Sequence, residues 1–136
     1  MNDMVSMIII MIFSGLLSIM SIWANRISDV RVSINDLYMV FLMIGWMILF
    51  MGMFNKQLKL IVIGLFLVVI IFISIRNQLF VSEEQFIKGM IPHHSMSILM
   101  AKRRKEKGVN NPELQQLINS IIKTQEEEIS ILKSLE

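Results

Sequence analysis

Three apolar runs, Met7 to Ala24, Leu37 to Phe54 and Leu60 to Ser74, carry no charged side chain, and nothing else in the chain restricts its fold as much. A helix needs about 20 residues to cross roughly 30 Å of hydrocarbon at about 1.5 Å per residue. The third run meets that length when the flanking Lys59 and Arg76 extend to the headgroups. The runs therefore predict three membrane-spanning helices, over about 7–24, 37–54 and 58–76, in an integral, multi-pass membrane protein whose first partner is the lipid bilayer. The first run reads as a span and not as a cleaved signal: it starts beside the acidic Asp3, has no basic stretch before it and no small-x-small site after it. Trp23 and Tyr38 flank the first loop, where interfacial aromatics belong. The second loop, around Asn55 and Lys56, is short enough to make spans two and three an antiparallel hairpin.

Composition removes several classes of function. The chain has 136 residues, of which 54% are hydrophobic, and it has no cysteine. Disulfides, thiolate metal sites and thiol nucleophiles are excluded together. A net charge of +2, with eight basic and eight acidic side chains in residues 77–136, offers no face for nucleic acid.

After Arg76 the pattern becomes amphipathic. Ser82-Glu83-Glu84-Gln85 is a capping box, with Val81 and Phe86 placed as a hydrophobic staple. It starts a helix over about 82–107 that ends at Gly108. Pro92 removes one backbone hydrogen bond and predicts a kink or a restart there. Asn111-Pro112-Glu113 starts a second helix over about 112–135. The apolar stripe of that helix is Leu114, Leu117, Ile118, Ile121, Ile122, Ile129, Leu132 and Leu135. The expected fold is all-α: three spans, residues 1–76, followed by a two-helix hairpin, residues 77–136.

The chemistry is concentrated in GMIPHHSMSILMA, residues 89–101, which holds both histidines of the chain. At about 100° per residue, Phe86, Met90, His93, Ser97 and Met100 share one face of the first hairpin helix. Glu83 and His94 lie at one edge of that face and Met96 at the other. On the second helix Gln125 and Glu128 interrupt the apolar stripe. A carboxylate facing a helical core calls for an ion or a partner, and imidazole with thioether suits copper, Cu(I) above all. By its angle His93 is the better ligand, and His94 serves as a second ligand or as an orienting partner.

The C-terminal 55 residues resemble the domain of unknown function 305 family, a ferritin-like helical group often associated with copper handling. The resemblance rests on Glu83 with Phe86, on MIPHH at Met90 to His94, on Met100-Ala101, on Asn111-Pro112, and on QxxEI at Gln125, Glu128 and Ile129. It implies that Met90, His93, His94, Met100, Gln125 and Glu128 form the metal site, with Glu83 and Met96 as secondary positions. It also implies half of a ferritin-like four-helix bundle, membrane-anchored and facing outside the cytoplasm. The charge count leans the other way by two: Lys56 and Lys59 stand on one side, Arg26, Arg31, Arg76 and Lys88 on the other. The Lys-bearing second loop resembles the cytoplasmic turn of the membrane-anchored branch, which favours an extracytoplasmic hairpin. The family pattern is incomplete, since Leu132 stands where a methionine is usual and the first loop has no histidine.

Plainer readings stand beside these. The histidines also fit as packing residues hydrogen-bonded to Glu128 or Gln125, in a hairpin that docks a partner helix without metal. Met39, Met43, Met47 and Met51 recur every four residues in span two, and Met4, Met7 and Met11 nearly so in span one. They suit a relay for a soft cation or, more simply, flexible apolar packing. Lys102 to Lys107 reads as a solvated helix end, or as a contact for anionic lipid. A hairpin of two helices buries little area, so a homodimer or a helical partner is expected. No enzyme is expected: di-metal carboxylate bundles draw Glu and Glu-x-x-His motifs from four helices, and no ExxH occurs here.

Overall fold

A computed structural model describes residues 2–136; the side chains of residues 2–4, Asp3 and Met4 among them, lie outside the described residues. The described chain is helical, without strands. In order it comprises α1 (Asn2–Leu17), two 3-10 turns (Met20–Trp23 and Ile27–Asp29), α2 (Ile34–Phe54), α3 (Leu58–Arg76), α4 (Glu83–Glu106) and α5 (Pro112–Ser134). Three helical stretches are long and apolar enough to cross a membrane: Val5–Trp23, Ile34–Phe54 and Leu58–Arg76, with mean hydropathies of 2.4, 2.2 and 3.1.

The first stretch departs from the sequence expectation. The α-helix stops at Leu17 and does not continue to residue 24. Ser18 N donates to Gly15 O at 3.0 Å, and the chain tightens into the 3-10 turn. Ser21 is buried there, and its hydroxyl accepts from Arg31 N at 3.0 Å. This polar anchor draws the end of the apolar run into the loop that follows.

The chain forms two bodies that interleave in sequence. One takes the stretch up to Ile19 together with Ile34–Val81; the other takes Met20–Ser33 together with Ser82–Glu136. The first body is built on the α2–α3 hairpin, and its core is Val40, Ile44 and Ile48, one helical turn apart. Met11 and Ile12 of α1, Met47 of α2, and Leu60 and Leu67 of α3 pack against them. Glycines set the helix spacing. A Cβ on Gly64 would lie 2.4 Å from the Leu49 nitrogen, and one on Gly52 would lie 2.7 Å from the Ile61 nitrogen. Small residues that let backbones approach this closely are the usual means of packing helices where lipid removes the hydrophobic drive. Tyr38 is buried and its hydroxyl donates to Leu79 O, so it ties α2 to the segment after α3 and does not sit at a free interface.

The second body contains the hairpin α4–α5. Its ends follow the sequence closely. Ser82 Oγ accepts from Gln85 N at 3.3 Å. Asn111 Oδ1 accepts from Glu113 N and Leu114 N at 2.9 and 3.1 Å. Gly108 has φ +84°, the left-handed geometry in which glycine carries no Cβ penalty. Pro92 is buried inside α4, which is assigned as one helix through it. The loop Met20–Ser33, which in sequence only joins two apolar runs, packs on α4 through both of its 3-10 turns.

Candidate functional site

α4 is turned by about one residue, roughly 100°, from the face expected. Its buried residues are Ile91, Pro92, His94, Ser95, Ile98 and Ala101. The expected inner face is left outside: Phe86, His93 and Met100 are exposed, and Met90 and Ser97 are half-buried. The physical reason is that α4 is covered both by α5 and by the first loop. Ser95, wholly buried, meets that loop through the Asn25 backbone N–H and the Asp29 carboxylate.

This rotation turns His94 inward and His93 outward. His94 is 8% exposed and its Nδ1 lies 3.0 Å from Glu128 Oε2 on α5. His93 points outward, its ring 6.1 Å from that of His94 and inclined by 60°. Glu128 Oε2 is thus the polar group set against this buried nitrogen, in a contact close in distance but off the line of a straight hydrogen bond. Glu128 also accepts from Gln125 Nε2 at 3.0 Å, which fixes the carboxylate. Burial pushes the pKa of His94 below the ordinary 6.5; Glu128 pulls it back up only in part, and His93 adds to the lowering. At neutral pH the imidazole is therefore uncharged and holds a lone pair, the form that binds metal.

The remaining expected ligands are dispersed. Met90 stands four residues before His94, hence on the same side of α4, and is half-buried. Met96 is half-buried and Glu83 exposed, and Met100 is 59% exposed. Among the described residues no three His, Asp or Glu side chains come together as a metal cluster. Within one chain the donor set is thus imidazole, carboxylate and amide, with thioether from Met90 nearest by helical spacing.

Sequence reasoning missed a second polar group. Asp29, 2% exposed, accepts from Ser95 Oγ through Oδ2 at 2.6 Å and from Lys133 Nζ through Oδ1 at 2.6 Å. Burial raises its pKa, but the Lys133 and Ser95 hydrogen bonds and the charges of Lys133 and Arg26 outweigh that and hold it below the ordinary value. The only sequence signal was an acid between Arg26 and Arg31 in a loop between apolar runs.

Comparison with known proteins places this arrangement. The chain is 40% identical over 143 residues to the uncharacterized protein L153 of Acanthamoeba polyphaga mimivirus, an alignment that covers 98% of this chain and 91% of that protein. The family model described as "Domain of unknown function (DUF305)" matches residues 76–136. The chain shares a family with the mimivirus protein, and its residues 76–136 form a DUF305 domain. The DUF305 region takes in α4, α5, His94 and Glu128, and leaves out the Met20–Ser33 loop that packs on it. No solved structure matches the chain.

Proposed function

We propose that the protein is a membrane-anchored, non-enzymatic metal-binding protein whose hairpin takes copper, Cu(I) in preference, for tolerance, storage or delivery. The observation that supports the reading is the buried Nδ1 of His94 on α4 set 3.0 Å from the Glu128 carboxylate of α5. An imidazole and a carboxylate brought together from two helices are two donors that one ion can share. Met90 and Gln125 supply the further donors. The three apolar helices cross the bilayer, and the hairpin lies on the extracytoplasmic side. Met11 of α1 and Met47 of α2 act as packing, since both lie against the core of the first body.

A second reading is favoured by the outward face of the hairpin. Phe86, His93 and Met100 recur every seven residues on α4, and Leu114 and Leu117 remain exposed on α5. This is the seam pattern by which helices pair, and a second copy of the hairpin completes a four-helix bundle on it. In this reading the hairpin works as an interaction module with or without an ion.

A Cu(I) titration separates the two readings. The full chain in detergent is the right material, because the first loop is part of the hairpin's body. Tight binding lost in a His93→Ala, His94→Ala double variant supports the metal reading. Absence of binding by a folded wild-type protein, together with chelator-insensitive self-association, supports the module alone.

A further inference from the structure

The loop Met20–Ser33 lies outside the family-matched region, yet it places a carboxylate in the interior of the second body. A carboxylate is costly to bury unless its oxygens are paired and hydrogen-bonded. Asp29 meets that condition with one partner from each helix of the hairpin, Ser95 on α4 and Lys133 on α5, both at 2.6 Å. Ser95 is itself completely buried. Its hydroxyl gives its one proton to Asp29 and accepts the Asn25 backbone N–H at 2.8 Å, so both of these bonds come from the loop. Arg31 adds an outer tie, its guanidinium forked on Glu136 with both contacts at 2.7 Å. Beneath the loop lies a cavity of about 30 Å³, lined by Asn25, Asp29, Ile98 and Ile129 among others.

These bonds fall beside the candidate site. Ser95 is the residue after His94, and Lys133 follows Glu128 on α5 by five positions. One carboxylate therefore ties the helix that carries the imidazole to the helix that carries the acid. We propose that the loop is a clamp, with Asp29 and Ser95 as positioning residues that set α4 against α5 so that His94 Nδ1 faces Glu128. The inference rests on the metal reading above.

The test uses the full chain in detergent, with Asp29→Asn, Ser95→Ala and, as the outer-tie comparison, Arg31→Gln. Hydrogen exchange is followed on the ion-free protein. Cu(I) affinity is measured by competition with a chromophoric chelator, and the ligand set by X-ray absorption. Asp29→Asn and Ser95→Ala are expected to speed amide exchange across residues 91–98, to weaken Cu(I) by about tenfold, the scale of losing a supporting partner of a ligand, and to lower the nitrogen contribution to the absorption spectrum. Arg31→Gln should do less of each. Folded variants with unchanged exchange and unchanged affinity overturn the clamp. If Ser95→Ala does not fold, the near-isosteric Asp29→Asn decides. A wild-type chain that takes no Cu(I) overturns the metal reading instead, and the exchange data then decide whether the loop clamps the two helices.

Discussion

His94 Nδ1 stands 3.0 Å from Glu128 Oε2 across two helices, while His93, its neighbour in sequence, faces outward. The two histidines should therefore separate on mutation. His94→Ala is expected to weaken Cu(I) by tenfold or more and His93→Ala by about threefold or less, on the scale by which first and outer ligands differ. Chelator competition on each single variant measures this. Equal losses from the two would mean that the ion does not sit between α4 and α5.

Asp29 gives the second body a dependence on acid. Its folded-state pKa lies below the ordinary 3.8, so its interactions add stability that is fully present above the unfolded value and disappears as pH falls through the folded one. Thermal unfolding followed by circular dichroism should be flat through neutral pH and fall below about pH 4. Asp29→Asn should remove much of that slope and cost about 2 kcal/mol at pH 7, the scale of a hydrogen bond to a charged group. An unchanged acid slope in the variant would assign it to other carboxylates.

The two bodies should respond differently to an added methyl group. Gly64 has no room for a Cβ, which would fall 2.4 Å from backbone, and a backbone neighbour cannot turn aside. Gly64→Ala should push α2 and α3 apart and cost about 1–3 kcal/mol. At Gly108 nothing lies within 4 Å, and the strain comes only from φ +84°, so Gly108→Ala should cost about 1 kcal/mol. Unfolding of both variants in detergent measures the difference. A larger effect at Gly108 would contradict the close approach of α2 and α3.

How much of this was legible in the sequence depends on whether the signal was local. Ser82, Asn111, Pro112 and Gly108 act on atoms within four residues, and the ends of α4 and α5 fall within a residue of where those signals put them. The apolar runs are equally local, and the three long helices follow. The rotation of α4 was not legible, because the helix packs against α5 and also against a loop some 70 residues earlier, through Asn25 and Asp29 on Ser95. A projection of α4 alone ranks methionine above serine as core and so selects His93. The inward placement of Glu128, 3.0 Å from His94 Nδ1, was legible, because α5 has one apolar stripe and two polar residues that break it. Leu17 ends α1 early for the same reason that α4 rotates: Ser21 is held by Arg31, a contact that hydropathy does not register.

The exposed seam of the hairpin leads to a prediction about assembly. Phe86 is 52% exposed, Leu117 55% and Leu135 64%, although each belongs to an apolar pattern that normally closes against another helix. Burying a side chain of this size contributes about 1.5–3 kcal/mol, so a few of them per copy contribute on the scale of the entropy lost in association. Light scattering in detergent, with the detergent mass subtracted, should give two chains per particle at micromolar concentration. Leu117→Glu should shift the particle to one chain while leaving the helix content unchanged, since Leu117 contributes little to the fold of a single chain. Cu(I) affinity in that variant then tells whether the ion needs the second copy. Retained affinity places every ligand in one hairpin, around His94 and Glu128; a loss of affinity parallel to the loss of the dimer means that outward donors such as His93 or Met100 reach the ion from across the seam. A wild-type chain that is already monomeric at that concentration would remove the seam as a dimer contact and leave it to a different helical partner.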